Sequence, residues 1–244
     1  MSVPAKAFQQ WLHAVAPGTS MAAVSGRSGI KRSTLAQQLV RGRISISTVI
    51  RVSRAFEVDA VAALSCFEGF ADLADGGQPP TGDELLSQIS DVDLLREIIR
   101  RNATDESPSE AAAQKLSLMP HGSSVRSWID AIDRSNLRQR ISTELRMAPQ
   151  NLSAQLRANR LRPAVAVQAA RIAGVGLANG LVVTGLLTPE EAGWPLDARE
   201  AALRGLSDSD LVTLAAVRLS SLGKTLRSLD QDNEQTKALW ENLG

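Results

Sequence analysis

Arg32, Ser33 and Gln37 crowd into one short polar stretch, KRSTLAQQLVRGR, with Lys31, Arg41 and Arg43 beside them. A guanidinium offers parallel N–H donors, an amide offers a donor and an acceptor side by side, and a hydroxyl can do either. Such groups pair with flat heterocyclic edges, Arg with guanine and Gln with adenine. The flanking cations suit phosphate oxygens. The implied chemistry is recognition of a polyanion that displays hydrogen-bonding edges; no bond is made or broken.

A second stretch repeats the pattern. Gln150 to Arg160 reads QNLSAQLRANR, and Leu35, Gln38, Leu39 and Arg43 match Leu152, Gln155, Leu156 and Arg160 at a shift of 117 positions. Gln150 and Asn151 are the polar residues that open it. Arg138, Arg157, Arg160 and Arg162 surround it with positive charge.

Catalytic constellations are weak by comparison. His13 and His121 are far apart in sequence, and His13 reads as a helix-face residue. GVGLANG, Gly174 to Gly180, has glycines but the wrong spacing for a nucleotide loop, with no strand before it. Ser221 and Lys224 have a serine–lysine spacing, but lie in a leucine-rich tail with no sheet to build a site. Cys66 alone makes no disulfide or cysteine metal site and reads as a small buried side chain. No enzymatic activity, cofactor or metal is expected.

The charge is sorted along the chain. Residues 1–56 hold eight Lys/Arg and no acid, and residues 57–133 hold five basic and fifteen acidic. Residues 134–189 hold eight arginines against Glu144, and residues 190–244 hold six basic and ten acidic. Each candidate reader thus lies in a basic block, as a polyanion-binding surface requires. The run Ile172 to Leu187 is apolar but falls short of the ~20 residues of a membrane span. MSVPAKAFQQWL lacks an apolar signal core, so a cytoplasmic location is expected.

The match at 117 extends without a gap. Trp11 meets Trp128, Ser25 meets Ser142, Arg54 meets Arg171 and Leu64 meets Leu181. Ser90, Asp91, Asp93 and Leu94 meet Ser207, Asp208, Asp210 and Leu211, and Arg101 meets Arg218. So long a period indicates a duplicated domain rather than a solenoid. The expected organisation is a first domain over 1–75, then a linker over 76–121 with one helix near 83–101 and another near 108–118. A second domain follows over 122–192, with C-terminal helices over 193–244.

Scarce aromatics and abundant alanine, leucine and arginine favour an all-α chain. The expected helices of the first module are 5–16, about 20–26, 31–41, about 46–56 and 60–67. Thr81 with Glu84 forms a capping box, and Thr188 with Glu191 caps a helix in the second module. In the tail, Leu219, Leu222, Leu226 and Leu229 form a stripe at helical spacing, either packed on the chain's own core or open for self-association.

The stretch MAAVSGRSGIKRSTLAQQLVRGRISISTVIRVSRAFEVDAVAAL resembles the five-helix DNA-binding domain of lambda-repressor-like regulators. Its helix-turn-helix would span Met21 to Val40, with Gly29 in the turn and Leu35 anchoring the recognition helix. The second module is similar through Ile141, Ser142, Met147 and Leu152. It departs at Arg146, where the turn glycine is expected and a left-handed or altered turn must follow, and at Pro149. The resemblance covers about 65 residues per module. It implies two tandem modules, each followed by an extra helix, that bind an operator on double-stranded DNA; on that resemblance Arg32, Ser33, Gln37, Gln150 and Asn151 would read base edges, and Lys31, Arg41, Arg43, Arg138, Arg157, Arg160 and Arg162 would hold phosphates. The expected protein is a transcriptional repressor in the style of phage immunity repressors of bacterial hosts. A short flexible linker would set the second contact at an effective concentration around millimolar. The rival expectation is a protein-interaction scaffold, or an antitoxin, of the same fold.

Overall fold

The computed structural model of the chain describes residues 2–74, 77–103 and 115–241. They are mostly helical. The first module contains β1 (Ser2–Pro4), α1 (Ala5–Val15), α2 (Met21–Ser28), α3 (Arg32–Val40), β2 (Arg43–Ser45), α4 (Ile46–Ala55) and α5 (Ala60–Ser65), then a 3-10 turn at Ala71–Ala74. Next come α6 (Gly82–Ser87) and α7 (Asp91–Asn102). The second module contains α8 (Ser124–Ile132), α9 (Leu137–Glu144), α10 (Pro149–Arg157), α11 (Pro163–Ala173) and α12 (Leu177–Val183). It ends with α13 (Ala198–Gly205) and α14 (Asp208–Glu241).

The starts of α3, α4, α5 and α7 coincide at a shift of 117 with those of α10, α11, α12 and α14. Local chemistry explains the boundaries. Ser20, Ser45, Asp59, Thr81 and Ser90 accept first-turn N–H groups of α2, α4, α5, α6 and α7. Thr81 and Glu84 complete the expected capping box.

Several elements differ from expectation. The helix expected over 83–101 is two helices, because the Ser90 hydroxyl takes the N–H of Asp93 and starts α7 afresh. Thr188 and Glu191 exchange capping bonds, but residues 189–193 form only a turn. Residues 115–118 of the helix expected near 108–118 are not helical; the rest of it lies outside the described residues. The two short strands, absent from the all-α expectation, pair antiparallel with Val3 opposite Ile44, tying the start of the chain to the segment after α3. Cys66 is exposed rather than buried: it is the C-cap residue of α5, while Ala63, Leu64 and Phe67 beside it are buried.

The chain forms two compact units. The first comprises residues 1–88 and 118–198, so both five-helix segments belong to it together with α6. Its larger core joins Trp11, Val24, Leu35, Leu64 and Phe67 of the first segment to Val167, Leu181, Val182 and Trp194 of the second. A second core, around Trp128, Ile141, Leu152 and Ala166, fills the second segment. The two segments are therefore packed together, not strung on a flexible linker.

The second unit comprises residues 89–117 and 199–244. Here α7 packs along α14, burying Ile89, Leu94, Leu211 and Ala215. Burial pushes the Asp93 carboxyl up, but hydrogen bonds from Ser90, Ser117 and Arg96 outweigh that and hold it below the usual range. Farther along α14, Leu219, Leu222, Leu226 and Leu229 are each 40–50% exposed among the described residues. No helix of the described residues is long and apolar enough to cross a membrane.

The glycines of GVGLANG have a packing reason. Gly174 ends α11 at φ +70°. A Cβ on Gly180 would lie 2.7 Å from the Ala166 carbonyl oxygen and 3.1 Å from the Trp128 ring. The glycine lets α12 press against α11 and α8. Gly180→Ala is expected to destabilise the chain by about 1–3 kcal/mol, read as a lower denaturant midpoint with an unchanged slope.

Candidate nucleic-acid interface

The candidate interface is built on α3 and α10, helices of identical length at identical positions in the two segments. In α3 one apolar anchor, Leu35, is 1% exposed, while Arg32, Ser33 and Gln37 lie open to solvent. In α10, Leu152 and Leu156 are the anchors, and Gln150 and Asn151 are open. Lys31, Arg41 and Arg43 frame α3 and are exposed; Arg157, Arg160 and Arg162 frame α10 and are exposed. Neither helix has a side-chain acceptor at its N-cap, Lys31 or Ala148, so the first-turn N–H groups face outward without one.

Each helix is preceded by a turn with a left-handed residue. Gly29 adopts φ +63° and, at the equivalent position, Arg146 adopts φ +47°. The second module thus keeps the turn geometry without the glycine that makes it easy. The Arg51 guanidinium donates to the Gly29 carbonyl at 2.7 Å and closes the first turn from outside.

The second repeated feature of the two stretches, Gln38 and Gln155, proves to be a brace rather than a reader. The Gln38 side-chain oxygen accepts the Ser45 N–H at 2.8 Å and the Thr48 hydroxyl at 3.1 Å. The Gln155 side-chain oxygen accepts the Arg162 N–H at 2.9 Å, and Arg162 is the counterpart of Ser45. Each glutamine pins the chain leaving its helix to the next helix start, fixing where Arg43 and Arg160 emerge. The signal was present in the sequence: the glutamines repeat, whereas the outward positions do not.

Electrostatically the two faces differ. Around α3 no salt bridge engages Lys31, Arg32, Arg41 or Arg43 among the described residues. Arg27 stacks instead on the Phe56 ring, with its guanidinium carbon 4.3 Å from the centroid. In the second segment Arg138 is ion-paired with Asp130, so part of its charge is answered internally. The Arg162 guanidinium lies 3.0 Å from the Met147 sulfur.

The other candidates resolve as structure. His13 is exposed on α1, and the His121 ring lies 3.0 Å from the Ser87 carbonyl oxygen. Among the described residues no cluster of His, Cys, Asp and Glu could hold a metal ion. No protein-family model matches the chain, and no curated protein or solved structure matches it.

The two turns make opposite predictions. Arg146→Gly relieves a left-handed arginine and is expected to raise stability by about 0.5–1 kcal/mol. Gly29→Arg imposes the same strain, crowds Arg51, and is expected to lower it by about 1–2 kcal/mol. Chemical denaturation of both variants checks the pair.

Proposed function

We propose that the chain is a sequence-specific double-stranded DNA-binding regulator, a repressor of the lambda-repressor-like kind, without enzymatic activity. One observation carries this reading. Two equivalent helices, α3 and α10, stand exposed with polar faces, each framed by exposed cations in a block nearly free of acids. A groove-reading helix needs an apolar anchor behind, hydrogen-bonding side chains in front and cations at its rim.

Within this reading Arg32, Ser33 and Gln37 contact base edges, and Lys31, Arg41 and Arg43 hold phosphates. In the second module Gln150 and Asn151 read, while Arg157, Arg160 and Arg162 hold the backbone; Arg138, tied to Asp130, contributes least. Arg43 and Arg160 are repeated, exposed and set by equivalent braces, which favours one shared phosphate-binding task. Repression follows from occupying promoter DNA.

Binding is expected to weaken by ~10³-fold or more as salt rises from about 50 to 200 mM, for six or more phosphate contacts. A shallow dependence with no preferred sequence would instead favour the scaffold or antitoxin. Arg32→Ala is expected to cost about 1–3 kcal/mol at one base position. A uniform loss over all sequences would make Arg32 a phosphate contact. Competition binding on selected and scrambled duplexes separates these outcomes.

A second chain is the proposed partner of the tail. Leu219, Leu222, Leu226 and Leu229 follow alternating three- and four-residue steps on an exposed face, the spacing of a two-helix seam. Leu222→Asp with Leu226→Asp is expected to convert a dimer to a monomer in sedimentation. An unchanged mass would remove the seam and leave the DNA reading intact.

A further inference from the structure

We infer that the two readers face their half-sites head to head, so that the duplex this chain selects is an inverted pair of unlike half-sites rather than a direct repeat. The inference rests on the DNA-binding reading above and adds the polarity of the site.

Two related segments can meet in two ways. Across a two-fold axis, if residue i of one touches residue j of the other, then j of the first touches i of the second. In a head-to-tail arrangement the return contact points to a third copy and is missing. The chain's own repeat allows this distinction, since equivalent residues lie 117 apart.

In the first unit the test pair is Arg54 and Arg171, equivalent arginines near the ends of α4 and α11. The Arg54 guanidinium donates to both Glu191 carboxylate oxygens at 2.6 Å and to the Leu186 carbonyl at 2.9 Å. The Arg171 guanidinium donates to the Asp72 carboxylate at 2.9 and 2.5 Å. The counterpart of Asp72 is Pro189, inside the 186–191 span that Arg54 reaches. Each arginine therefore grips the segment that follows the other module's fifth helix. The contact is returned, as a two-fold relation requires.

The second unit shows the same relation in strict register. Arg101 donates to the Asp208 carboxylate at 2.9 Å and to the Leu206 carbonyl at 2.7 Å. Arg218 donates to the Asp91 carboxylate at 2.8 Å and to the Ile89 carbonyl at 2.8 Å. Asp91 and Ile89 are the counterparts of Asp208 and Leu206. At these two positions each arginine thus makes the other's contact; Arg101 also donates to the Leu203 carbonyl at 2.9 Å and to Glu97 at 2.8 Å.

Where the two-fold axis of the first unit's segments crosses the duplex at a right angle, as a dyad of the duplex itself does, it reverses the direction of α10 relative to α3 along the duplex. Duplex DNA has dyads of its own, so a two-fold reader matches inverted half-sites. The readers themselves are not equivalent. Arg32, Ser33 and Gln37 correspond to Pro149, Gln150 and Ala154, so the half-sites differ in sequence while keeping opposed orientation.

The experiment uses the full chain. Bound sites are first recovered from random-sequence duplex DNA, and the two half-sites are assigned by loss of preference in Arg32→Ala and Gln150→Ala. Duplexes are then made with these half-sites inverted or direct, at each spacing across one helical turn. The inverted order is expected to bind at least about tenfold more tightly than the best direct order, because only it engages both readers at once. Equal or tighter binding of a direct order overturns the inferred polarity and leaves DNA recognition standing. Absence of any preferred sequence overturns both.

Discussion

The first unit turns on a buried carboxylate. Glu84 is fully buried and sits where α6, α8 and α12 converge. Its oxygens accept the Thr81 N–H and hydroxyl, the Trp128 indole N–H at 3.0 Å and the Asn179 amide at 3.2 and 3.3 Å. The Asn179 oxygen in turn accepts the Trp194 indole N–H at 2.8 Å. A carboxylate removed from water is costly unless its lone pairs are satisfied, and removing one donor leaves the rest of the network strained. This node therefore dictates the approach of three helices. The glycines follow from it: Gly176 admits the Gln78 carbonyl oxygen, and Gly180 admits Ala166 and Trp128.

The node also breaks the repeat. The counterpart of Glu84 is Ala201, an exposed residue of α13, and the counterpart of Trp128 is Trp11, which packs on Phe8 and Phe67 instead. Thus α6 docks on the second module's first helix through polar bonds that Ala201 has no side chain to make. The two segments are alike in their helices and unlike in how they are locked. Asymmetry enters at the lock and at the reading faces, and the helical frame stays common.

The frame was legible in the sequence because it depends on local rules. Apolar spacing placed α1 through α5, hydroxyl and carboxylate caps set the starts of α2, α4 and α5, and the ungapped repeat carried the starts of α3, α4 and α5 into the second module. The illegible parts depend on tertiary partners. Nothing local to Gln38 says that its amide will take the Ser45 N–H, and nothing near Cys66 says that α5 ends one residue earlier. The 83–101 helix breaks because Ser90 can cap, an option its apolar pattern hides. Thr188 and Glu191 carry the capping signature, yet Arg54 also claims the Glu191 carboxylate, and that hydrogen bond holds its pKa below the usual range. The leucine stripe read first as packing on the chain's own core and second as a seam, and periodicity alone does not choose between them. For the outward faces of α3 and α10, the residue types were legible, and the fold supplied their exposure and the braces beneath them.

How the segments are joined changes what duplication can do. A flexible tether would leave the second reader searching a volume, with its gain limited by effective concentration. Here Val167, Leu181 and Val182 share one apolar core with Leu64 and Phe67, so the readers are held by packing. The inter-segment ion pairs are partly solvent-exposed, 42% and 22% for Arg54 and Glu191, so they mark the geometry more than they hold it. A rigid pair loses little further freedom on binding, which favours affinity when the duplex fits and penalises it when the spacing is wrong. On the proposed DNA reading, packing converts a duplicated helix into a ruler: the contacts that stabilise the chain would also set which arrangement of half-sites it accepts.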